Sequence, residues 1–303
     1  MRDFKDKIAV VTGGGTGMGR ELCRQLAAAG CHVAMCDVSD ENMDETRRIA
    51  LEGAPAGTRV TTFVADVSSE RDLEAFREAV IREHETDYVN LVFNNAGIGG
   101  GGSMISGDRE EWEKTFDVCW GGVYHGTRIF LPLLLAADEG HLINTSSVNG
   151  FWASLGPQTA HTSYSAAKFA VKGFTEALVN DFRLNAPHLK VSLVMPGHIG
   201  TSIVINSGKI LGRDPKEMPD EEIEEAKERM AELGFEVAAA SNDEVRQALQ
   251  QRAEAFRDEA PTTAAEAAGV ILGGVREERW RILIGDCLLY TSDAADDYFW
   301  VWV

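Results

Sequence analysis

Short apolar runs alternate with helical patterns along most of the chain. Ile8–Val11 is fully apolar, and the pattern that follows it, from Arg20 to Ala29, has apolar residues at helical spacing before Gly30,. Wholly apolar strands are typical of parallel sheets covered on both faces. The alternation predicts further strands at 33–36, 60–64, 91–93, 142–144, 191–194 and 282–284, and further helices at 41–51, 69–83 and 117–135. It therefore predicts an α/β fold with a doubly wound, seven-stranded parallel sheet.

Residues 206–260 interrupt this alternation before the last strand. They carry 15 acidic and 8 basic residues. One predicted helix there has an apolar face, and two more begin at capping-box spacings, Ser241 with Glu244 and Thr263 with Glu266,. The apolar positions of the first two helices are Ile223, Met230, Leu233, Val245, Leu249 and Phe256. We interpret these two helices as an excursion over the carboxyl edge of the sheet, within a single domain of residues 1–286.

Composition excludes several classes of function. The chain has 29 basic and 48 acidic residues and a formal net charge of -19, which disfavours nucleic acid and anionic membrane surfaces as partners,. The longest apolar run, residues 129–137, contains Pro132 and is too short to span a bilayer,. The five cysteines form no metal-ligand spacing with histidine, so we expect no metal site,. With no secretory leader visible before Lys7, we expect a cytoplasmic protein,.

The last residues of the chain do not continue the pattern. Residues 287–296 fit neither helical nor strand periodicity, and their back-translation resembles the transposase-end adapter of sequencing libraries,. We interpret residues 287–303 as a non-native tail and leave them out of the functional argument. A natural tail is the alternative, and resequencing the locus from a PCR product distinguishes the two.

A glycine-rich loop joins the first predicted strand to the first helix. Thr12-Gly13-Gly14-Gly15-Thr16-Gly17-Met18-Gly19 lets the backbone turn sharply and approach a pyrophosphate, which the N–H groups at the helix start attract,. Glycine runs are often only tight turns, but this position between strand and helix favours a Rossmann-type dinucleotide site. Asp37, at the end of the second strand, is placed to accept both ribose hydroxyls of NAD and to repel the 2′-phosphate of NADP, with helix capping as the alternative,.

The spacing Gly13-x-x-x-Gly17-x-Gly19 resembles that of the short-chain dehydrogenase/reductase family. Asp66-Val67 and Asn94-Asn95-Ala96-Gly97 follow in the family's order, and the resemblance covers about residues 5–205 and rejoins near residue 280. It implies that Asp66-Val67 contacts the adenine and that the Asn-Asn-Ala-Gly motif steadies the sheet and borders the cofactor. Thr16 and Val38 occupy positions where members that use NADP commonly carry a basic residue, so we expect NAD rather than NADP.

Tyr164-Ser165-Ala166-Ala167-Lys168 is the sharpest chemical signal. Residues four apart share a helix face, so the Lys168 ammonium can stand near the Tyr164 phenol and favour its phenolate form,. Ser147 lies upstream, at the carboxyl end of the fifth strand. The resemblance implies that Tyr164 is the general acid/base, that Ser147 polarises the substrate oxygen, and that Lys168 binds the nicotinamide ribose. Ser146 is the competing choice, set aside because the family's catalytic serine is usually the second of the pair.

Cys119 departs from the family's pattern. The family commonly has Asp-Val-Asn in the helix after the Asn-Asn-Ala-Gly motif, and its Asn helps to hold a water that links the catalytic Lys to solvent. This chain has Asp117-Val118-Cys119, and a thiol is a weak donor and acceptor,. We expect backbone groups to hold that water with slower proton exchange; an impaired enzyme is the stronger interpretation.

A Pro-Gly turn follows the sixth predicted strand, where the family places a Thr near the nicotinamide amide. His198 lies in the same turn and receives no role. The cofactor contacts that we expect in total are Gly13, Gly15, Thr16, Gly17, Met18, Gly19, Asp37, Asp66, Val67, Asn94, Ala96, Gly97, Tyr164, Lys168, Pro196, Gly197, Ile199 and Thr201.

The function implied is an NAD(P)-dependent oxidoreductase that interconverts a secondary alcohol and a ketone or aldehyde. The segment 150–162 contains Phe151, Trp152, Leu155 and His161 and, with the excursion, suggests a pocket for a small hydrophobic alcohol or ketone,. A catalytically impaired NAD-binding regulator and an NAD-retaining epimerase are the alternatives. The resemblance also implies a homo-oligomer, tetramer or dimer.

Overall fold

The computed structural model describes residues 1–153, 160–232, 237 and 240–285. Seven of its strands form one parallel sheet in the order β3-β2-β1-β4-β5-β6-β9, which confirms the predicted doubly wound sheet. The seven strands are β1 (Ile8–Thr12), β2 (His32–Asp37), β3 (Val60–Val64), β4 (Leu91–Asn94), β5 (Gly140–Thr145), β6 (Leu189–Pro196) and β9 (Arg281–Ile284). A separate two-stranded pair consists of β7 (Ile199–Gly200) and β8 (Thr262–Thr263).

Helices cover both faces of the sheet. They are α1 (Gly17–Ala28), α2 (Asp40–Glu52), α3 (Glu70–His84), α4 (Arg109–Phe116), α5 (Gly122–Leu135), α6 (Thr162–Asn185), α7 (Ile203–Ile210), α8 (Asp220–Glu232), α9 (Asn242–Asp258) and α10 (Ala264–Arg276). A 3₁₀ turn, Val148–Gly150, lies between β5 and α6.

The central strands are buried on both sides, as their uninterrupted apolar runs predict. Alternate residues of β1 enter different cores: Ala9 and Val11 pack with residues of α1 and α10, while Ile8 and Val10 pack with residues of α3, α5 and α6. Burial on two faces leaves the strand ends as the accessible part of the sheet. The strand order reverses between β1 and β4, and this is the position where open α/β sheets bind ligands beyond their carboxyl ends,.

The helix predicted at 117–135 is longer and less regular in the structure. α4 begins after Asp108, whose carboxylate accepts a hydrogen bond from the Glu111 N–H. A π-helical turn, Asp117–Gly121, then joins α4 to α5. The wider turn shifts the register of the apolar face, so a search for 3.6-residue periodicity detects only the part beyond it.

The excursion before β9 contains more structure than the sequence indicated. The two predicted helices correspond to α8 and α9, and α9 and α10 both begin with capping boxes, as predicted. α7 and the β7–β8 pair were missed, because an eight-residue helix and two-residue strands are too short for a periodic signal,. Leu233 and the proposed tail 287–303 lie outside the described residues, so the predictions about them stay untested.

Candidate active site

The glycine loop after β1 is closely packed and depends on its glycines. Gly13 and Gly17 have φ values of +67° and +55°, the left-handed region that glycine adopts at least cost,. A Cβ on Gly19 would lie 1.9 Å from the Gly13 carbonyl oxygen, and one on Gly13 would lie 2.8 Å from Ala96 Cα. The loop therefore packs directly against the segment that follows β4, and α1 begins at Gly17, three residues before the predicted start.

Two side chains that the sequence reasoning did not select hold this loop to its neighbour. The Thr12 hydroxyl accepts hydrogen bonds from the N–H groups of Asn95 (3.0 Å) and Ala96 (3.1 Å). The Asn95 side-chain amide donates to the Thr12 carbonyl at 3.1 Å. Thr12 lies in the glycine-rich motif and Asn95 in the Asn-Asn-Ala-Gly motif. The motifs identify these two residues but do not show where their side chains point.

Asp37 lies beside the glycine loop at the end of β2. Its carboxylate accepts hydrogen bonds from the N–H groups of Gly15 (3.0 Å) and Ser39 (3.1 Å). A Cβ on Gly15 would lie 2.9 Å from the carboxyl carbon of Asp37, so the absence of a side chain there permits the contact. The structure thus places a carboxylate within contact distance of the loop suited to a pyrophosphate.

Tyr164 and Lys168 lie one turn apart at the start of α6, as predicted. Lys168 Nζ is 5.4 Å from the centre of the Tyr164 ring and donates a hydrogen bond to the Thr145 carbonyl at 2.9 Å. Lys168 is buried, and no carboxylate within the described ranges forms an ion pair with it. A Cβ on Gly97 would lie 3.6 Å from Nζ, and Ala96 contacts Gly13, so the Tyr-Lys pair and the glycine loop meet across the Asn-Asn-Ala-Gly segment.

The phenol of Tyr164 is harder to ionise than the sequence suggested. Burial raises its pKa above the ordinary value, and this outweighs the Lys168 ammonium and the Ser147 hydroxyl, both of which lower it,. Lys168 lowers this pKa, as predicted, but burial has the larger effect, so the phenol is not kept easy to ionise. At neutral pH the phenol is protonated, which is the form that donates a proton.

Ser146 and Ser147 point in different directions. The Ser146 hydroxyl donates to the Lys168 carbonyl at 2.8 Å, so it is used in anchoring α6. The Ser147 hydroxyl instead interacts with Tyr164 and accepts a hydrogen bond from the Asn149 N–H at 3.2 Å. This placement favours Ser147 as the serine beside the reacting oxygen.

Cys119 lies in the π-helical turn, against the same segment as Lys168. Its thiol donates a hydrogen bond to the Ile98 carbonyl at 3.1 Å, and a Cβ on Gly97 would lie 3.7 Å from Sγ. The side chain is fully buried. It therefore occupies the edge of the Tyr-Lys cluster, where the resemblance implied an Asn.

The other predicted cofactor contacts are of two kinds. Some line the cleft beside the glycine loop, and others, which we call framework residues, have side chains buried in the core. Thr201 lies over the glycine loop, since a Cβ on Gly17 would be 3.0 Å from Thr201 Cβ. Asn94 faces away from the loop: its buried amide donates to Asn144 (2.9 Å) and Thr127 (3.1 Å). Ile199 is also buried in the core, where it pairs with Thr262.

Asp66 and Val67 follow β3 at the same edge. Burial works against ionisation of Asp66, but hydrogen bonds from Lys114 and Ser68 hold its pKa below the ordinary value, so it is an anion at neutral pH,. Val67 is buried, and a Cβ on Gly122 would lie 2.7 Å from its methyl carbon. The Asp66 carboxylate is thus tied to Lys114.

The segment 150–162, which we expect to line the substrate pocket, is described by the structure except for residues 154–159. Phe151 packs in a small core, with Lys172 and Arg281 over its ring, so it is mainly a structural residue. Trp152 is 62% exposed, and Leu155 lies outside the described residues. His161 lies edge-on to Tyr164 with ring centres 6.1 Å apart. His198 is not directed at Tyr164, since its ring stacks on Phe256 and its Nε2 lies 2.8 Å from the Phe256 carbonyl.

A comparison with protein families identifies the family to which this chain belongs. A family model described as short chain dehydrogenase matches residues 7–210. The chain belongs to the short-chain dehydrogenase family. Levodione reductase of Leifsonia aquatica is 33% identical over 223 residues, which are 73% of this chain and 80% of that protein.

Solved structures agree with this family. A short chain dehydrogenase/reductase from Burkholderia phymatum in complex with NAD superposes with a TM-score of 0.75 at 28% identity, over 96% of this chain and 93% of that one. A metagenomic short-chain oxidoreductase in complex with NADP gives 0.56 at 29% identity, over 64% and 83%. This short-chain dehydrogenase is an oxidoreductase, and these two similar structures hold NAD and NADP respectively.

Two features are absent from the residues that the structure describes. No group of three or more His, Cys, Asp or Glu side chains in that part of the chain is arranged to hold a metal ion. Among the same residues, none of the helices combines the length and apolar character needed to cross a membrane.

Proposed function

We propose that this short-chain dehydrogenase interconverts a secondary alcohol and a ketone or aldehyde by hydride transfer, with Tyr164 as general acid/base. The observation that carries the proposal is the position of the Tyr164–Lys168 pair, which meets the glycine loop across Ala96 and Gly97. Hydride transfer needs a proton donor or acceptor at the substrate oxygen, within reach of the nicotinamide.

Each residue of the cluster has a distinct part in this proposal. The protonated phenol of Tyr164 donates its proton to the carbonyl oxygen during reduction, and the deprotonated phenolate accepts the alcohol proton during oxidation. The Ser147 hydroxyl, already in contact with Tyr164, hydrogen-bonds to the same substrate oxygen and stabilises its developing charge,. The Lys168 ammonium, buried with one backbone acceptor at 2.9 Å, binds the ribose hydroxyls of the nicotinamide half. The bound cofactor supplies or accepts the hydride.

We further propose NAD as the preferred cofactor. Asp37 contacts Gly15 N–H at the end of β2, where its charge would face a 2′-phosphate,. The remaining cofactor contacts are assigned to the loop residues Gly13, Gly15, Thr16, Gly17, Met18 and Gly19, to Asp66, Val67, Ala96 and Gly97, and to Pro196, Gly197, Thr201 and the backbone of Ile199, whose side chain is buried in the core. The buried Asn94 side chain is assigned to the framework.

The assembly and location are proposed on the same basis. The exposed aromatic rings of Tyr124 on α5 and Phe169 on α6 support a homo-oligomer, either a dimer or a tetramer,. Size-exclusion chromatography coupled to light scattering measures the oligomeric state. The described cysteines Cys23, Cys31, Cys36 and Cys119 are free thiols, which supports a cytoplasmic location,.

An assay of NADH formation with a panel of secondary alcohols tests the proposed activity. Reduction of added NAD⁺ in step with alcohol consumption is the expected result. Cofactor binding without turnover of any alcohol or ketone would instead identify an impaired binding protein, for which Cys119 is the motivating residue. Isomerisation with no net NADH would identify an epimerase.

A further inference from the structure

The segments around Tyr164 contain no formal charge, although 25% of the chain is charged. The sequence has no Asp, Glu, Lys or Arg in residues 88–107, 140–167 or 191–208. These stretches contain the loop after β4, the region of Ser147 and Tyr164, and the first part of α7. In a protein with a net charge of -19, these three segments therefore add no formal charge to the mouth of the site.

The same segments expose large apolar side chains. Met104 is 71% exposed and Ile105 is 99% exposed, in a turn that is held by the Ser103 hydroxyl, which accepts hydrogen bonds from the N–H groups of Ile105 and Ser106 at 3.1 Å each. Trp152 is 62% exposed, and its backbone N–H donates a hydrogen bond to the Val148 carbonyl. Val204 and Ile210, both on α7, are 42% and 41% exposed. We call Met104, Ile105, Trp152, Val204 and Ile210 the apolar collar.

The turn with Met104 and Ile105 is attached to the helix that carries Tyr164. The N–H groups of Thr162 and Ser163 donate to the carbonyls of Gly102 and Gly101, both at 3.0 Å. Ile105 is the third residue after Gly102, so the Cα of Ile105 lies within about 11 Å of the Gly102 Cα. This part of the collar is thus within reach of a group attached to a substrate at Tyr164.

α7 is attached to the other side of the site. The Asn206 amide donates to the Thr16 hydroxyl at 3.0 Å, and the Gly99 N–H donates to the Ser207 hydroxyl at 2.8 Å. α7 therefore bridges the glycine loop and the loop after β4. Its Val204 and Ile210 are consequently held next to the segment that carries Met104 and Ile105.

Two ionisable side chains beside these segments, Glu111 and His161, carry no unpaired charge. Glu111 accepts hydrogen bonds from Arg213 and from the Gly101 N–H, both at 2.7 Å. Burial lowers the pKa of His161, so its ring beside Tyr164 is neutral at pH 7. Exposed charges flank the uncharged segments: Asp108, Arg109 and Glu110 follow residue 107, and Lys209 follows residue 208.

We propose that the apolar collar binds an extended, uncharged hydrocarbon portion of the substrate, so that the substrate is a long-chain or bulky apolar secondary alcohol or ketone. Exposed apolar surface of this kind is stabilised when hydrocarbon covers it, whereas a phosphate, carboxylate or sugar would lose hydration against these five side chains, which offer it no charged group. The inference rests on the proposed function and specifies its substrate class.

A homologous series of substrates tests the collar. We expect kcat/KM for secondary alkanols to rise about twofold to fourfold per added methylene from butan-2-ol to octan-2-ol, through KM rather than kcat. A terminal carboxylate on the longest member should abolish this gain. The rise should shrink in the double variant Met104→Gln/Ile105→Ser, which should lose about fivefold to tenfold with octan-2-ol and nothing with butan-2-ol.

Leu51→Gln provides the matched control, because Leu51 is a 41% exposed apolar residue on α2, away from the mouth. Its profile should match that of the wild type. A chain-length dependence that is flat or falling, or an equal loss for short and long alcohols in the double variant, would overturn the collar while leaving the dehydrogenase intact. Wild-type protein that turns over no alcohol or ketone with either cofactor would overturn the proposed function, and the collar with it.

Discussion

Thr12→Val tests how the site is held together. The Thr12 hydroxyl is the acceptor for the N–H groups of Asn95 and Ala96, and it also donates to the Phe93 carbonyl at 3.3 Å. Thr12 is only 2% exposed. Valine keeps the branched shape but leaves both N–H groups without this acceptor. The contact between the end of β1 and the segment after β4 should therefore weaken.

The structure sets the size of the effect. A buried N–H left without an acceptor costs about 1–3 kcal/mol. The N–H groups of Asn95 and Ala96 are only part-buried, so the two together predict a loss of about 2 kcal/mol in the free energy of unfolding, after the extra methyl of valine offsets a part. Thr12→Ser is the matched control, because it keeps the hydroxyl and removes a methyl group worth about 1 kcal/mol. The loss of stability on removing the hydroxyl should therefore exceed the loss on removing the methyl group.

Urea unfolding followed by circular dichroism measures this difference at a fixed protein concentration. NADH binding, followed by fluorescence, should weaken in the valine variant and change little in the serine variant, because Ala96 and Gly97 would shift relative to Gly13. A valine variant at least as stable as the serine variant, with unchanged NADH affinity, would refute the role assigned to the Thr12 hydroxyl.

Three further predictions address the chemistry of the site. Asp37→Asn removes the charge at nearly constant shape, so the ratio of NADPH to NADH dissociation constants should fall about tenfold in equilibrium titrations; an unchanged ratio would contradict the selectivity argument. Because burial raises the Tyr164 pKa, kcat/KM for alcohol oxidation should increase as pH rises above 7, while that for ketone reduction should be level and then decline; oxidation that is fastest in acid would contradict this sign,. Cys119→Asn should preserve or raise kcat at saturating substrate, and a large loss would show that the thiol has a role of its own.

The fold and the outline of the site could be predicted from the sequence, because both depend on local pattern. Uninterrupted apolar runs such as Val10-Val11 define buried parallel strands, and glycines at fixed spacing define a turn that glycine makes at the least cost,. Residues four apart, such as Tyr164 and Lys168, likewise share one face of any α-helix. These signals need no knowledge of the rest of the chain.

The remaining features depend on contacts between distant segments. The pKa of Tyr164 follows from its burial, which the sequence does not display, so the effect of Lys168 was overestimated. The direction of the Asn94 amide, towards Asn144 and Thr127, depends on the packing of β4 against β5 and α5. The π-helical turn at Asp117–Gly121 breaks the very periodicity used to find helices.

The most direct test of the account is the behaviour of Tyr164→Phe in two measurements on the same preparation. Removing one hydroxyl should abolish alcohol-dependent NADH formation while the NADH dissociation constant stays within about twofold of the wild-type value, since the phenol oxygen serves the reaction and Lys168 holds the ribose. Turnover close to that of the wild type in this variant would contradict the assignment of Tyr164 as the group that exchanges a proton with the substrate.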